Sequence, residues 1–172
     1  MFKNIHSRDF KTDYSTIGGM LDTLSSKKDM IWPVHAWPPL RLDGELSVGA
    51  KGGHGPIRYF VEEYEPGRYV RFRFTSPKGF DGTHSFAVNQ MDKETTALRH
   101  EINMKLRGFA IISWPLSIRW LHDALLEDAL DRVEAHINGT PLGQRAWSPW
   151  VRFLRKITTV SSSRRKRVQN VQ

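Results

Sequence analysis

Cysteine is absent from this chain of 172 residues. Its absence excludes disulfide bonds, thiolate catalysis and metal sites built on cysteine. Long hydrophobic runs are also missing, because the longest one near the predicted C-terminal helix, residues 109–112, is far too short to span a bilayer. The N-terminus has no apolar stretch typical of a secretory signal, so we expect a cytoplasmic protein.

Acidic residues are missing from the end of the chain. Residues 1–144 hold 18 Lys and Arg and 18 Asp and Glu, so this part is neutral. The formal net charge of +8 therefore belongs to the tail alone. A basic body would indicate nucleic-acid binding by the folded domain, and this distribution does not. The tail's eight basic residues are Arg145, Arg152, Arg155, Lys156, Arg164, Arg165, Lys166 and Arg167.

The first part of the chain predicts a strand, short helices and an irregular segment. Alternation of apolar and polar residues predicts a strand over 2–8, and one or two short helices follow between Thr12 and Leu24, capped by Thr12 or Ser15. Three prolines make residues 32–39 irregular. We expect a further strand over 41–48 and a glycine-rich loop over 49–56, whose His54 lies in a tight turn or at a cavity mouth.

Two hairpins follow. The first pairs residues 57–65 with 68–75 across Pro66-Gly67, which places Glu62 opposite Arg71. Its apolar inner row is Tyr59, Val61, Phe72 and Phe74, with Val61 opposite Phe72. The second pairs residues 84–88 with 98–105, and alternation places seven side chains on its inner face. These are His84, Phe86, Val88, Leu98, His100, Ile102 and Met104.

A long amphipathic helix is predicted over residues 115–136. Its apolar face carries Ile118, Leu121, His122, Leu125, Ala129, Val133 and His136. The opposite face carries Asp123, Glu127, Asp131 and Glu134, which we interpret as a solvated surface rather than as catalytic carboxylates. One long helix cannot cover both faces of such a sheet. The sheet must therefore curl around it, an α+β fold in which we expect an apolar cavity between sheet and helix.

This order of elements resembles the START-like, or SRPBCC, helix-grip superfamily, which includes polyketide cyclase/dehydrase-like proteins, lipid-transfer domains and plant ligand carriers. Local phrases over 37–43, 53–59, 64–68 and 121–131 are similar to actinobacterial members, and the likeness covers residues 2–138. The resemblance implies a curled antiparallel sheet wrapped around a long C-terminal helix. It implies no particular reaction, because this superfamily hosts carriers, cyclases, hydrolases and regulators.

The expected cavity defines the candidate site. We predict that ligand is bound by Tyr59, Phe72, Phe74, His84, Phe86, Leu98, His100, Ile102, Trp114, Leu121, His122 and Leu125. Trp32 and Trp37 are either further lining or ordinary core. Three roles are open for the histidines at positions 84, 100 and 122. They contact or act on a ligand, they hold a metal, or they are partly buried side chains that only bond to backbone carbonyls. Spacing does not reinforce a metal site, so we predict no metal and no cofactor.

Three functions are compatible with this pattern. The first is a carrier or sensor that binds a hydrophobic small molecule, such as a lipid, an aromatic or a polyketide-like compound. The second is an enzyme of cyclase, dehydratase or hydrolase type, in which His100 or His84 moves a proton. The third is an interaction module that the basic tail tethers to an anionic membrane or to nucleic acid.

The tail predicts a separate element. We place the helix-grip domain at residues 1–142 and the tail, a basic amphipathic helix followed by a disordered polybasic run, at 143–172. Ser148-Pro149 resembles a helix start. The helix either lies on a membrane, contacts nucleic acid, or packs on the domain or on a second subunit, so we expect a monomer or a homodimer. The candidate contacts are Trp147, Trp150, Arg152, Arg155, Arg164, Arg165, Lys166 and Arg167.

Overall fold

The computed structural model describes residues 1–143 and 145–158. In this part of the chain, antiparallel strands form one sheet in the order β1-β7-β6-β5-β4-β3-β2. The strands are β1 Phe2–Phe10, β2 Arg41–Leu42, β3 Lys51–His54, β4 Ile57–Glu65, β5 Tyr69–Ser76, β6 Phe80–Gln90 and β7 Thr96–Leu106. The helices are α1 Tyr14–Leu21, α2 Ala110–Ser113, a π-helical turn Trp114–Ile118, α3 Arg119–Asn138 and α4, residues 149–158.

The hairpin of β6 and β7 forms the centre of the grip. It runs in unbroken register from Phe80 opposite Leu106 to Gln90 opposite Thr96, and β1 pairs with the other edge of β7. The inner face predicted for this hairpin is confirmed, because all seven of its side chains are buried. The α+β prediction of a curled sheet with a long helix is confirmed as well.

The long helix begins earlier than predicted and is buried over a broader face. It is continuous from α2 through the π turn into α3, and Leu126, Asp128 and Leu130 are buried beside the predicted Leu125, Ala129 and Val133. The reason is that the irregular segment before β2 covers a second side of α3: Trp37 donates to Asp128 and Arg132 donates to the Asp29 carbonyl. His136, predicted on the inner face, is exposed.

Several local predictions were wrong. The strand expected over 41–48 is only β2, and the expected glycine loop contains β3, which pairs with both β2 and β4. A β-bulge at Glu62 places Glu63, not Glu62, opposite Arg71, although the Glu62 carboxylate still accepts from the Arg71 side chain. The cap of α1 is Asp13, whose carboxylate accepts from the Thr16 backbone N–H.

The acidic row of α3 is not a solvated surface. Asp123, Glu127 and Asp131 keep only 28%, 35% and 25% of their side chains exposed, because they pack against β1. There His6 contacts Asp123 and Glu127, and Arg8 donates to Glu127, Asp131 and Glu134. We call this contact between the inner row of β1 and the acidic row of α3 the polar seam.

The tail helix packs on the body. Val151 and Leu154 of α4 are buried. The Arg155 guanidinium lies 4.2 Å from the ring centroid of Trp37 and 3.9 Å from that of Trp147, and it donates to the Ala36 carbonyl. These contacts favour the intramolecular role among the alternatives for the tail. Of the other candidate contacts, Trp150 and Arg152 are exposed, whereas Arg164, Arg165, Lys166 and Arg167 lie outside the described residues.

Candidate ligand site

Three histidines meet between the sheet and the long helix. His84 on β6 and His100 on β7 are diagonal neighbours, since Phe86 pairs with His100 and His84 pairs with Ile102. Their rings approach so that His84 Nδ1 and His100 Nε2 are 3.4 Å apart. His122 on α3 lies across from them, with its ring centroid 5.1 Å from that of His100. The three histidines selected from the sequence are therefore brought together.

Two histidines that the sequence analysis did not place in the site extend this group. His54 on β3 lies with its Nδ1 3.1 Å from the Tyr59 hydroxyl, and the Tyr59 ring is 4.7 Å from that of His84. At the other end His6 on β1 lies 5.8 Å from His122, ring to ring. We call the continuous series His54, Tyr59, His84, His100, His122 and His6 the histidine row. It crosses the interior from β3 to the polar seam.

Burial keeps most of this row uncharged. It lowers the pKa of His84 and of His100 well below 6.5 and lowers that of His54 to about 3. The pKa of His122 is also lowered by burial, against the hydrogen bond to Asp123. The inner imidazoles are therefore neutral at pH 7, each with one N–H and one bare nitrogen.

His6 is the exception at the end of the row. Burial lowers its pKa, but hydrogen bonds to Asp123 and Glu127 more than offset this effect, so the pKa of His6 is raised above 6.5. Burial raises the pKa of Asp123, but the neighbouring His122 and hydrogen bonds from His6 and Asn4 hold it below its usual value. Charge is thus gathered at the polar seam and kept out of the interior.

Four buried nitrogen atoms in this region have no hydrogen-bond partner among the described residues. They are His84 Nε2, His100 Nδ1, His122 Nε2 and Trp114 Nε1, whereas His122 Nδ1 lies 3.6 Å from Asp123 Oδ1. All belong to residues that the sequence analysis assigned to ligand binding. A buried polar group without a partner costs about 1–3 kcal/mol, so such a cluster within one site calls for a partner.

The predicted apolar lining surrounds these nitrogens. Tyr59, Phe72, Phe86, Leu98 and Leu125 belong to the larger core cluster, Phe74 and Leu121 pack against it, and Ile102 and Trp114 belong to a smaller one. The His84 ring stacks on Phe72 and Phe74, with centroids 4.8 and 4.9 Å away. The prediction of a mainly apolar cavity needs correction, because the lining side chains contact one another and a polar row runs between them. Trp32 and Trp37 are buried core.

Two other places were compared with this site. His6, His122 and Asp123 place one ligand atom each within 4.8 Å of one another, a grouping able to hold a metal ion. However, both ring nitrogens of His6 are hydrogen-bonded to carboxylates, which a protonated imidazole satisfies without an ion. A surface cleft of about 250 Å³ lies between Glu63, Arg71 and Asn89, on β4, β5 and β6. None of the predicted lining residues borders it.

Comparison with known proteins supports the fold. No family model matches this chain, and no curated protein matches it. Among solved structures it is similar to CalU16 from Micromonospora echinospora, at 15% identity and a TM-score of 0.57, over 91% of this chain and 83% of that one.

Two further structures agree. A START superfamily protein from Mycobacterium smegmatis matches at 10% identity and a TM-score of 0.53, over 80% of this chain and 97% of that one. A norcoclaurine synthase point mutant from Thalictrum flavum, in complex with a transition-state analogue, matches at 12% identity and a TM-score of 0.54, over 76% and 94% of the two chains. The fold of this chain is therefore the START-like helix grip that the order of its strands and helices predicted.

Proposed function

We propose that this protein binds a small, mainly apolar molecule between the sheet and α3, with the polar part of that molecule against the histidine row and the lining side chains, which contact one another in this structure, moved apart around it. The observation that carries the proposal is the cluster of four buried nitrogens without a partner. At about 1–3 kcal/mol each, they would cost a large share of a typical net stability of about 5–15 kcal/mol. A bound molecule that supplies partners would relieve that cost, and this gain is a source of affinity.

The surroundings define what the molecule must offer. Aromatic rings of Tyr59, Phe72 and Phe86 lie against the histidines, with centroids between 4.7 and 4.8 Å from those of His84 or His100. Such neighbours suit a flat or aliphatic apolar body. The Trp114 N–H can only donate, so one ligand atom near it must accept a hydrogen bond.

The His84–His100 pair adds a second requirement. Each ring is neutral, and their mutual hydrogen bond uses one N–H and one bare nitrogen. Whichever ring donates, the pair is left with one free N–H and one free bare nitrogen. The two free nitrogens lie on the outer sides of the pair, so one ligand group must accept and a separate one must donate, and a single bare carbonyl satisfies only half of the pair. We therefore propose an apolar molecule that carries at least one donor and one acceptor group.

Retention of a ligand is the direct test. Native mass spectrometry of freshly purified protein is expected to show a bound molecule, which denaturing conditions release and identify. A protein that retains no mass and, when folded, also fails to bind the apolar dye ANS would contradict the proposal.

Replacing His100 by Gln is expected to weaken binding of the retained molecule, with ANS displacement as the measurement. Gln has neither the ring contact to Phe86 nor the geometry of the His84 bond. Leaving one buried polar partner unpaired costs about 1–3 kcal/mol, or roughly 5- to 150-fold in affinity. The matched control is His35→Gln, because His35 is exposed and lies outside the row. Unchanged affinity with a lower melting temperature would assign His100 a purely structural role.

An enzyme of cyclase, dehydratase or hydrolase type is the second candidate, and the His84–His100 contact favours it. In such a pair, one ring gives its free N–H proton to the ligand and the other takes a proton from the ligand on its bare nitrogen. The proton of the His84–His100 hydrogen bond moves between the two rings at the same time, so both rings stay neutral. The test is to incubate the retained molecule with the protein and follow its mass. Loss or gain of one water that His84→Gln abolishes supports catalysis, whereas an unchanged ligand supports the carrier or sensor.

A further inference from the structure

A cluster of exposed apolar side chains lies outside the ligand site, partly on the segment whose buried Trp114 belongs to that site. Of the thirteen large hydrophobic residues exposed in the described part of the chain, eight fall in two short segments, 109–120 and 150–157. Single exposed apolar residues are ordinary, but such a concentration marks a contact surface. We call these eight side chains the apolar surface; they are Phe109, Ile111, Ile112, Leu116, Trp120, Trp150, Phe153 and Ile157, each between 44% and 78% exposed.

The two segments adjoin each other. The first follows α2, the π turn and the start of α3, and the second is one side of α4. Trp150 Nε1 on α4 donates to the Leu116 carbonyl in the π turn at 3.2 Å, which joins the segments directly. Phe153 stacks on Trp150 with ring centroids 5.4 Å apart. The other side of α4 carries the buried Val151 and Leu154, so packing on the body fixes which side faces outward.

The tryptophans of this surface are prepared for an apolar environment. Trp120 Nε1 donates to the Pro115 carbonyl at 3.0 Å, as Trp150 Nε1 does to Leu116. Both indole N–H groups are thus paired within the protein while the rings stay about half exposed. Entry of these rings into hydrocarbon would leave no unpaired donor, so it does not carry the cost of burying a polar group without a hydrogen bond.

The surroundings of the apolar surface are positively charged. Residues 102–122 and 145–158 together hold seven Lys and Arg and no Asp or Glu, and three of the seven, Arg107, Arg119 and Arg145, pair with the carboxylates of Asp81, Asp123 and Asp131. Arg152 and Lys156 are exposed on α4, and the sequence continues beyond it to four consecutive basic residues, 164–167. Exposed aromatic and aliphatic side chains bordered by basic ones are the composition of a helix that lies in the interface of an anionic bilayer.

We propose that the apolar surface docks on the headgroup region of an anionic lipid bilayer, with the side chains of α2, the π turn and α4 inserted and the basic residues contacting lipid phosphates. This docking is independent of the molecule bound at the histidine row. It also differs from tethering by the polybasic run alone, because the insertion residues belong to the folded body. Nucleic acid gains nothing from the aliphatic side chains Ile111, Ile112 and Leu116, and a second copy would repeat the same positive charge at the contact.

The test is flotation of the full chain with vesicles of phosphatidylcholine containing phosphatidylserine, compared with phosphatidylcholine alone. We expect binding to the anionic vesicles with a blue shift of tryptophan fluorescence, and binding about tenfold weaker to the neutral ones. Phe109→Ser combined with Ile112→Ser is expected to weaken binding to the anionic vesicles about tenfold or more, because two apolar side chains no longer leave water. Phe153→Ser combined with Ile157→Ser changes the other helix and is expected to act equally, so misfolding of one variant leaves a second.

The matched control is Met91→Ser. Met91 is 59% exposed and lies in the turn after β6, at the opposite end of the β6–β7 hairpin from α2. It is expected to bind vesicles as the unaltered protein does. The proposal is overturned if the full chain does not float with anionic vesicles, or if both serine pairs float unchanged, which would assign the binding to the basic run. It is also overturned if the protein is a dimer in solution that either serine pair converts to a monomer, because the occupant is then a second copy.

Discussion

Acidification to about pH 4.5 is expected to unfold this protein, ahead of the titration of its carboxylates. The pKa values of His54, His84 and His100 are lowered by burial, so these rings stay neutral in the folded protein while their unfolded counterparts take up a proton near pH 6.5. The unfolded state therefore binds more protons below that pH, and stability falls as the pH falls. Each ring contributes about 1.4 kcal/mol per pH unit, so these three contribute about 4 kcal/mol per pH unit, and His122, whose pKa burial also lowers, adds to them.

The polar seam acts in a different pH range. The pKa of His6 is raised, so its stabilising contribution is complete below 6.5 and is lost as the pH rises through its folded value. Below pH 6.5 it therefore does not oppose the interior histidines. The lowered pKa of Asp123 adds stability that is present above its unfolded value near 3.8 and is lost only at more acid pH. The interior histidines therefore dominate between pH 6.5 and the carboxylate range.

Urea unfolding between about pH 7.5 and about pH 5 measures this slope. His84→Phe keeps an aromatic ring between Phe72 and Phe74 but cannot be protonated, so the slope is expected to fall by about a third. The control His35→Gln, which changes an exposed histidine, is expected to leave the slope unaltered. A free energy of unfolding that stays constant from pH 6.5 to pH 5.5 would contradict the neutrality of the row.

Asp128→Ala is expected to lower the free energy of unfolding by about 3–5 kcal/mol, the range for breaking a buried charged contact. The Asp128 side chain is buried, and one of its oxygens accepts from Trp37 Nε1 at 2.7 Å and from Trp147 Nε1 at 3.0 Å. These bonds tie the segment before β2 and the segment before α4 to α3. Removing the carboxylate leaves two indole donors unpaired and removes the acidic group near Arg155.

Thermal unfolding is the measurement, and a loss of this size corresponds to a midpoint lower by roughly 10 °C. Asp128→Asn retains an acceptor oxygen and is expected to cost less than half as much. Glu134→Ala is the control on the same helix: its side chain is 52% exposed and pairs only with Arg8 among the ion pairs described, so about 0–1 kcal/mol is expected. Equal effects of Asp128→Ala and Glu134→Ala would show that the hydrogen bonds from Trp37 and Trp147 to Asp128 contribute nothing to stability.

The parts of the fold that depend on simple periodicity were predictable. Alternation along β6 and β7 placed His84 and His100 on one inner face, because successive side chains of a strand point to opposite sides. The spacing of Leu125, Ala129 and Val133 located α3 for a similar reason. Periodicity could not show that β4 contains an extra residue. This bulge places Glu63, rather than Glu62, opposite Arg71.

The candidate site was only half predictable. His6 was missed because the inner face of β1 is polar, with Phe2, Asn4, His6, Arg8 and Phe10 facing inward while Ile5 faces out. A signal was nevertheless present. Alternate residues of a strand advance about 6.6 Å and every fourth residue of a helix about 6 Å, so Asn4, His6 and Arg8 are spaced to meet Asp123, Glu127 and Asp131. His54 was not placed because its segment, with four glycines, was predicted as a loop rather than as β3, which forms a tight hairpin with β4.

The polar seam also makes the two flanks of the long helix unequal in water. Along β1, α3 is held by partly buried ion pairs, whose charged groups recover hydration when they separate. Along its other flank Leu126 and Leu130 are buried, and separation there would wet hydrocarbon at full cost. We therefore expect thermal fluctuations to part the helix from the first strand before they part it from the rest of the core. Entry to the interior would then pass His6 and His122.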